Sequence, residues 1–270
     1  VISTSELINN TLNNANTALG EDAFQRIIKD AHQANIMFLI QQANLRASEL
    51  KSAGMKDFHN QVAEVNAAEN KKISNIEISA YASPDGATDL NTDLAEKREA
   101  NTNKYLSKEL KKAKVNAVVD AKYTAEDWEG FQELVSKSNI QDKELILRVL
   151  SMYQDPEQRE REIKNISSVY KNLADDILPQ LRRSRLTLNY EIIGKADEEI
   201  AKLADADASK LSLEEILYAA TLTNDNAKKA AIYTKATQQF PNDYRAFNNL
   251  GALAFQAGDI TKAESFLSKA

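Results

Sequence analysis

Apolar positions along this chain keep two periods, and the segments that hold each period mark out the expected elements. Ile36-Met37-Phe38-Leu39-Ile40 is a short apolar run that reads as a buried strand. Residues 48–69 read as a helix with Leu50, Phe58, Val62 and Val65 as its stripe, weakened in the middle by Gly54. Over residues 73–82, Ile76, Ile78, Ala80 and Ala82 fall on one face of a strand, and Glu77, Ser79 and Tyr81 on the other. Ser83-Pro84-Asp85-Gly86 then turns the chain. A long helix is predicted over residues 91–112, with Leu90, Leu94, Asn101, Tyr105 and Leu106 near one side. Residues 115–122 are a second strand candidate, with Val118 and Val119 at its centre.

Residues 127–178 read as a mostly helical block punctuated by Pro156 and Pro179. Trp128, Phe131, Leu134 and Val135 have the spacing of a buried helix face; so do Leu145, Val149 and Met152, and then Ile163, Ile166, Val169, Tyr170 and Leu173. Leu186, Leu188, Tyr190 and Ile192 alternate with Thr187, Asn189 and Glu191, the cleanest period-two stretch in the chain, and Gly194 ends it. Residues 1–30 are ambiguous, although Ala23, Phe24, Ile27 and Ile28 have helical spacing.

From Ala196 onward the pattern is helical throughout. Residues 196–210, rich in Ala, Asp and Lys, read as a linker helix. Beyond them lies an internal repeat: Leu213, Ile216, Ala220, Tyr233 and Ala236 recur as Phe247, Leu250, Ala254, Leu267 and Ala270, each pair 34 residues apart (270 − 236 = 34). The turns correspond too, Asn224-Asp225 with Gly258-Asp259, and both Asn and Gly tolerate the left-handed conformation that ends a helix. Phe247, Leu250, Gly251, Ala263 and Ala270 stand where the tetratricopeptide pattern has an aromatic, Leu, Gly, Ala and Ala, and Pro241 sits at the break between repeats. The first copy is degenerate, with Leu217 in place of the Gly and Lys229 in place of an Ala. The last residue falls inside the second helix of a repeat with no polar cap after it, so the array is expected to continue in a longer protein.

Composition narrows the function classes. With 43% apolar residues, 27% charged, 7 Gly and 4 Pro in 270 residues, a helix-rich chain with a real core in two parts is expected. The net charge of −6, spread over mixed acids and bases, argues against nucleic acid as partner. Without cysteine there is no disulfide, zinc–thiolate site or cysteine nucleophile. No apolar run is long enough for a transmembrane helix, and the polar start, VISTSELINNTLNN, is expected to follow a processed or deleted segment. His32 and His59 have no partner at metal-ligand spacing, and no phosphate-loop, dinucleotide or nucleophile-elbow motif occurs, so neither a cofactor, a metal nor catalysis is expected. Glu126-Asp127-Trp128-Glu129-Gly130-Phe131 reads as a helix start, its acids near the positive end of the dipole.

The segment Ile76-Glu77-Ile78-Ser79-Ala80-Tyr81-Ala82-Ser83-Pro84-Asp85-Gly86, followed by Asn91, Leu94, Arg98 and Ala100, resembles the OmpA-like, peptidoglycan-associated domain family. There a strand leads into a Gly-containing turn and a helix with an N-x-x-L-x-x-x-R-A type pattern; here the stretch is NTDLAEKREA. Leu181-Arg182-Arg183 resembles the paired arginines before that family's final strand, and Met37 to Ile40 with Gln41-Gln42-Ala43-Asn44-Leu45 its opening strand and turn. YASPDG together with EDWEGF is most similar to versions from Bacteroidota. The resemblance covers residues 34–193 and implies an α+β chain: an OmpA-like α/β sandwich with helices on one face of a small sheet and a helical insertion at about residues 125–178, then a truncated tetratricopeptide-repeat solenoid. The expected division is an N-terminal segment 1–33, the OmpA-like domain 34–195, the linker helix 196–210 and the repeats 211–270.

The resemblance implies a grip on peptidoglycan, in which an Asp and an Arg hold the charged ends of diaminopimelate. Carried onto this chain, the arginine is Arg98, the second basic group Arg182 or Arg183, and Asn91 opens the helix pattern. The acidic position falls on Ser83, which carries no charge; the nearest acid is Asp85, two residues on. The implied protein is a non-enzymatic scaffold of the periplasm and outer-membrane-associated envelope, touching peptidoglycan through one part and a protein through the repeats. The alternative is a structural assembly subunit without glycan affinity, in which Arg98 makes a salt bridge on its own helix.

Overall fold

The computed structural model describes residues 17–140, 142–166 and 173–270. It is mixed α/β, with a four-stranded sheet and 12 helices among the described residues. The described residues divide into two compact units, one of residues 27–193 and one in which residues 17–26 join residues 194–270. No helix among the described residues is long and apolar enough to cross a membrane.

In the first unit, β1 (Ile27–Met37), β2 (Lys71–Tyr81), β3 (Val119–Thr124) and β4 (Arg183–Ile193) form a sheet in the order β1-β4-β2-β3. β4 runs antiparallel to both β1 and β2, and β3 lies parallel to β2. The alternation in β2 and β4 puts Ile76, Ile78, Leu186, Leu188 and Tyr190 into the core. They meet Met55, Phe58, Val62 and Val65 of α2 (Ala53–Ala67), which follows the single turn α1 (Ala47–Leu50), and Leu106 and Leu110 of α3 (Thr88–Lys112). The expected helix at 48–69 is thus two pieces, because Ser52 caps α2 by accepting from the Met55 N–H. β1 starts at Ile27, well before the expected run, and ends at Met37, leaving Leu39 and Ile40 exposed. β3 begins where its apolar centre was expected, and Val118 is 64% exposed.

The helical segment between β3 and β4 has its own core. It consists of α4 (Trp128–Lys137), α5 (Lys143–Met152), α6 (Pro156–Asn165), a π-helical turn at Leu173–Ile177 and α7 (Leu178–Leu181). Phe131, Val135, Val149, Ile163 and Leu173 pack together there as expected, joined by Leu181, but α5 also turns Ile146 and Leu150 inward and exposes Leu145 and Met152. A mixed run of apolar residues leaves the helix phase open by one position, and packing decides it. The expected contributions of Val169 and Tyr170 lie outside the described residues.

The second unit contains α8 (Asp197–Ala206), α9 (Leu213–Thr221), α10 (Asn226–Gln239), α11 (Tyr244–Gln256) and α12 (Ile260–Leu267), packed in succession. A capping box joins Ser212 and Glu215 at the start of α9, and Asp225, Asp243 and Asp259 cap the next three helices. α8 is not a linker: Ile200 and Ala204 are buried in the same core as Ile216, Tyr233, Ala236 and Leu250. Gly251 permits the close approach of α12, since a Cβ there would lie 2.6 Å from Leu267 Cγ. Gly258 takes the left-handed conformation expected of it (φ 80°), whereas Asn224 does not.

Candidate functional site

At the end of β2 the chain enters the turn Ser83-Pro84-Asp85-Gly86 and then α3. Asn91, one turn into α3, donates its Nδ2–H to the Gly86 carbonyl at 3.0 Å and so ties the turn to the helix. The buried line of α3 is Asn91, Ala95, Arg98, Thr102, Leu106 and Leu110. It is polar at the turn end and apolar at the far end. The expected stripe meets it only at the far end, where Leu106 is buried and Tyr105 partly so, while Leu90 and Asn101 face solvent. Apolar periodicity cannot reveal the turn end of this face, where Asn91, Arg98 and Thr102 are buried.

Ser83, Asp85, Asn91, Arg98 and Arg182 line one cavity of about 40 Å³ with Ile40, Gln41 and Gly86. That volume holds a few waters or one carboxylate, not a sugar ring. Arg182 arrives from between α7 and β4, donating from Nη2 to Asp85 Oδ2 at 3.1 Å and from Nε to Ser83 Oγ at 3.3 Å. Ser83 Oγ in turn donates to the other Asp85 oxygen. Asp85 therefore supplies the negative charge that Ser83 lacks, and Ser83 braces it against Arg182. Both charged side chains keep some access to solvent, 11% for Arg182 and 15% for Asp85.

Arg98 plays a different part. It is 0% exposed and its guanidinium donates to three main-chain carbonyls: Gln42 at 3.0 Å, Tyr81 at 2.8 Å and Leu39 at 3.2 Å. The charge also lies over the Phe38 ring, 5.0 Å from its centroid. It makes no salt bridge along its helix, contrary to the scaffold alternative; its partners are carbonyls at the ends of β1 and β2. One of those loops holds Gln41 in the left-handed region (φ 53°), a conformation a non-glycine residue keeps only when its surroundings enforce it. Burial, and secondarily the neighbouring Arg182, pushes the Arg98 pKa down to about 10 against the pull of Asp85, so the group stays charged at neutral pH.

Arg183, the other candidate, lies elsewhere. It forms a buried ion pair with Asp127 at 2.8 Å, stacks over Tyr81 and donates to the Gln180 carbonyl. Asp127 caps α4 through the Gly130 N–H, and burial raises its pKa while Arg183 opposes the rise. This pair fastens the start of α4 to the start of β4. Sequence reading took Asp127 only as a helix-start acid; the buried pair has no local signal, since its members are 56 positions apart (183 − 127 = 56).

No protein-family model, curated protein or solved structure matches the chain.

Proposed function

We propose that this chain is a non-enzymatic envelope-binding and scaffold protein, with an OmpA-like domain at Ile27–Ile193 and tetratricopeptide-type repeats in the helical unit. The supporting observation is the convergence of Ser83, Asp85, Arg98 and Arg182 on one small cavity at the strand–turn–helix junction. The ligand that suits it is the zwitterionic end of a diaminopimelate-containing peptidoglycan stem. Arg182 and Asp85 neutralise each other in the free site. A ligand carrying only a carboxylate must pull Arg182 away and leave a mostly buried Asp85 unpaired, which is costly. A ligand with an ammonium and a carboxylate on one carbon can exchange partners with both and leave neither charge alone. The cavity has room for the carboxylate of such an end group, with the rest of the stem and the glycan outside. Ser83 donates its proton to a carboxylate already paired with an arginine, an arrangement for holding charge rather than for activating a nucleophile.

The full burial of Arg98 favours a second reading, an assembly subunit of an outer-membrane or surface complex without glycan affinity. A pulldown with purified peptidoglycan separates the two. Retention of the full chain by peptidoglycan, lost in Arg182→Ala, is expected on the first reading; equal absence of retention in both proteins would leave only the second.

A further inference from the structure

The helical unit already holds a peptide. Residues 17–26 carry neither helix nor strand, and every second side chain from Gly20 to Arg26 turns inward while Glu21, Ala23 and Gln25 stay exposed. The segment crosses α11, α9 and α8 in turn. Asn248 donates to the Ala18 carbonyl at 2.8 Å. Asn249, only 1% exposed, clamps both main-chain groups of Gly20, accepting its N–H at 2.7 Å and donating to its carbonyl at 2.9 Å. The Glu21 carbonyl accepts from Arg245, and the Ala23 N–H donates to Glu214 at 2.6 Å. Phe24 stacks on Tyr218 with ring centroids 4.4 Å apart, and Arg26 pairs with Asp197.

This is recognition of a backbone with three side-chain requirements. A Cβ on residue 20 would sit 2.8 Å from Arg245 Cβ, so that position demands glycine. Four residues on the groove takes an aromatic ring, and two further on a cation. Nothing in the α8–α12 core requires such a strap to be covalently joined, since the core is built by the helices themselves, with Phe24 packed against its edge. Buried Asn249, itself held by the neighbouring Asn248 and Tyr233, turns one donor and one acceptor to the main chain of Gly20, as a side chain that reads an extended peptide does.

We propose that the face of α8, α9 and α11 is a recognition groove for an extended peptide of the pattern Gly-x-x-x-aromatic-x-Arg, and that residues 17–26 occupy it in cis, so that a protein partner enters by displacing them. The idea extends the proposed binding role of the helical unit and is independent of the glycan site. A groove occupied in cis weakens any competitor by the fraction of time it is open. The test uses the full chain and a fluorescent peptide spanning Thr17–Arg26, with binding read by anisotropy. Gly20→Val/Phe24→Ala, which alters the strap and no helix, is expected to bind the peptide about tenfold or more tightly than the wild type. Adding Asn249→Ala should remove the gain, and a peptide carrying Gly20→Val should not bind. The proposal is overturned if the strap variant keeps its helical circular dichroism and binds no peptide, or binds the Gly20→Val peptide equally well. It is also overturned if releasing the strap unfolds the helices, because a ligand can leave its site without that. Hydrogen exchange on the wild type gives a second reading that needs no variant: the Gly20 and Ala23 amides should exchange ahead of the α9 and α11 core amides, and exchange in step with them would overturn the proposal.

Discussion

Arg98 donates to the Tyr81 carbonyl across 2.8 Å, and with that bond the helix α3 holds the last residue of β2 in place. The same guanidinium holds the loop after β1 through Leu39 and Gln42. An arginine in the position of a ligand-gripping group is thus committed to shaping the cavity. Arg98→Ala removes the partner of three carbonyls in a buried setting, and the expected cost is about 3–5 kcal/mol. Thermal and denaturant unfolding of the variant check this; a loss below about 1 kcal/mol, the scale of an exposed ion pair, would contradict it.

Arg182 should behave oppositely. It shares its charge with Asp85 and retains some solvent access. Arg182→Ala is expected to cost about 1–2 kcal/mol of stability while eliminating retention by peptidoglycan. Arg182→Lys keeps the charge but not the paired donors to Asp85 and Ser83, and should retain only part of the binding. Unfolding curves beside the pulldown separate the two effects.

Behind the site, Thr102 Oγ1 donates to Ser184 Oγ at 2.9 Å with both residues fully buried. Thr102→Val leaves a buried hydroxyl without this partner and should cost about 1–3 kcal/mol. The double variant Thr102→Val/Ser184→Ala should recover much of the loss, because no orphan hydroxyl remains. A double-mutant cycle measures the coupling, and strict additivity would contradict this role.

The helical unit carries a pH dependence of known sign. Hydrogen bonds from Arg245 hold the Glu214 and Asp243 carboxyls below their ordinary values, and the Arg245 pKa is raised in return. A depressed carboxyl pKa contributes stability that is present above the unfolded value, about 4, and is lost as pH falls through the folded value. The melting midpoint of the wild type should therefore approach that of Glu214→Gln as pH drops from about 5 toward 3. A gap that widens on acidification would reverse the sign and refute the assignment.

Much of this was legible in sequence because it rests on period. The inward faces of β2 and β4 follow from Ile76, Ile78, Leu186, Leu188 and Tyr190, and the Gly258 turn from the 34-residue offset. The site residues were legible as a set, since Asp85, Asn91, Arg98 and Arg182 do meet. Their division of labour was not. Whether an arginine faces a ligand or a carbonyl depends on loops 17 to 59 residues away in sequence. The early start of β1 was hidden because Ile27 to Gln33 form an edge strand with exposed faces, where burial imposes no period. The role of residues 17–26 was hidden for a related reason: an extended strap reads only against the helices that receive it.

The central claim is that Asp85 and Arg182 form a receptor for a zwitterionic end group. Isothermal titration of the full chain with diaminopimelate tests it most directly, run beside Asp85→Asn and beside glutarate as a ligand with carboxylates and no ammonium. The account predicts saturable binding of diaminopimelate by the wild type, loss of that binding in Asp85→Asn, and no binding of glutarate. Absence of heat from diaminopimelate with a folded wild-type chain, or equal binding of glutarate, would contradict it.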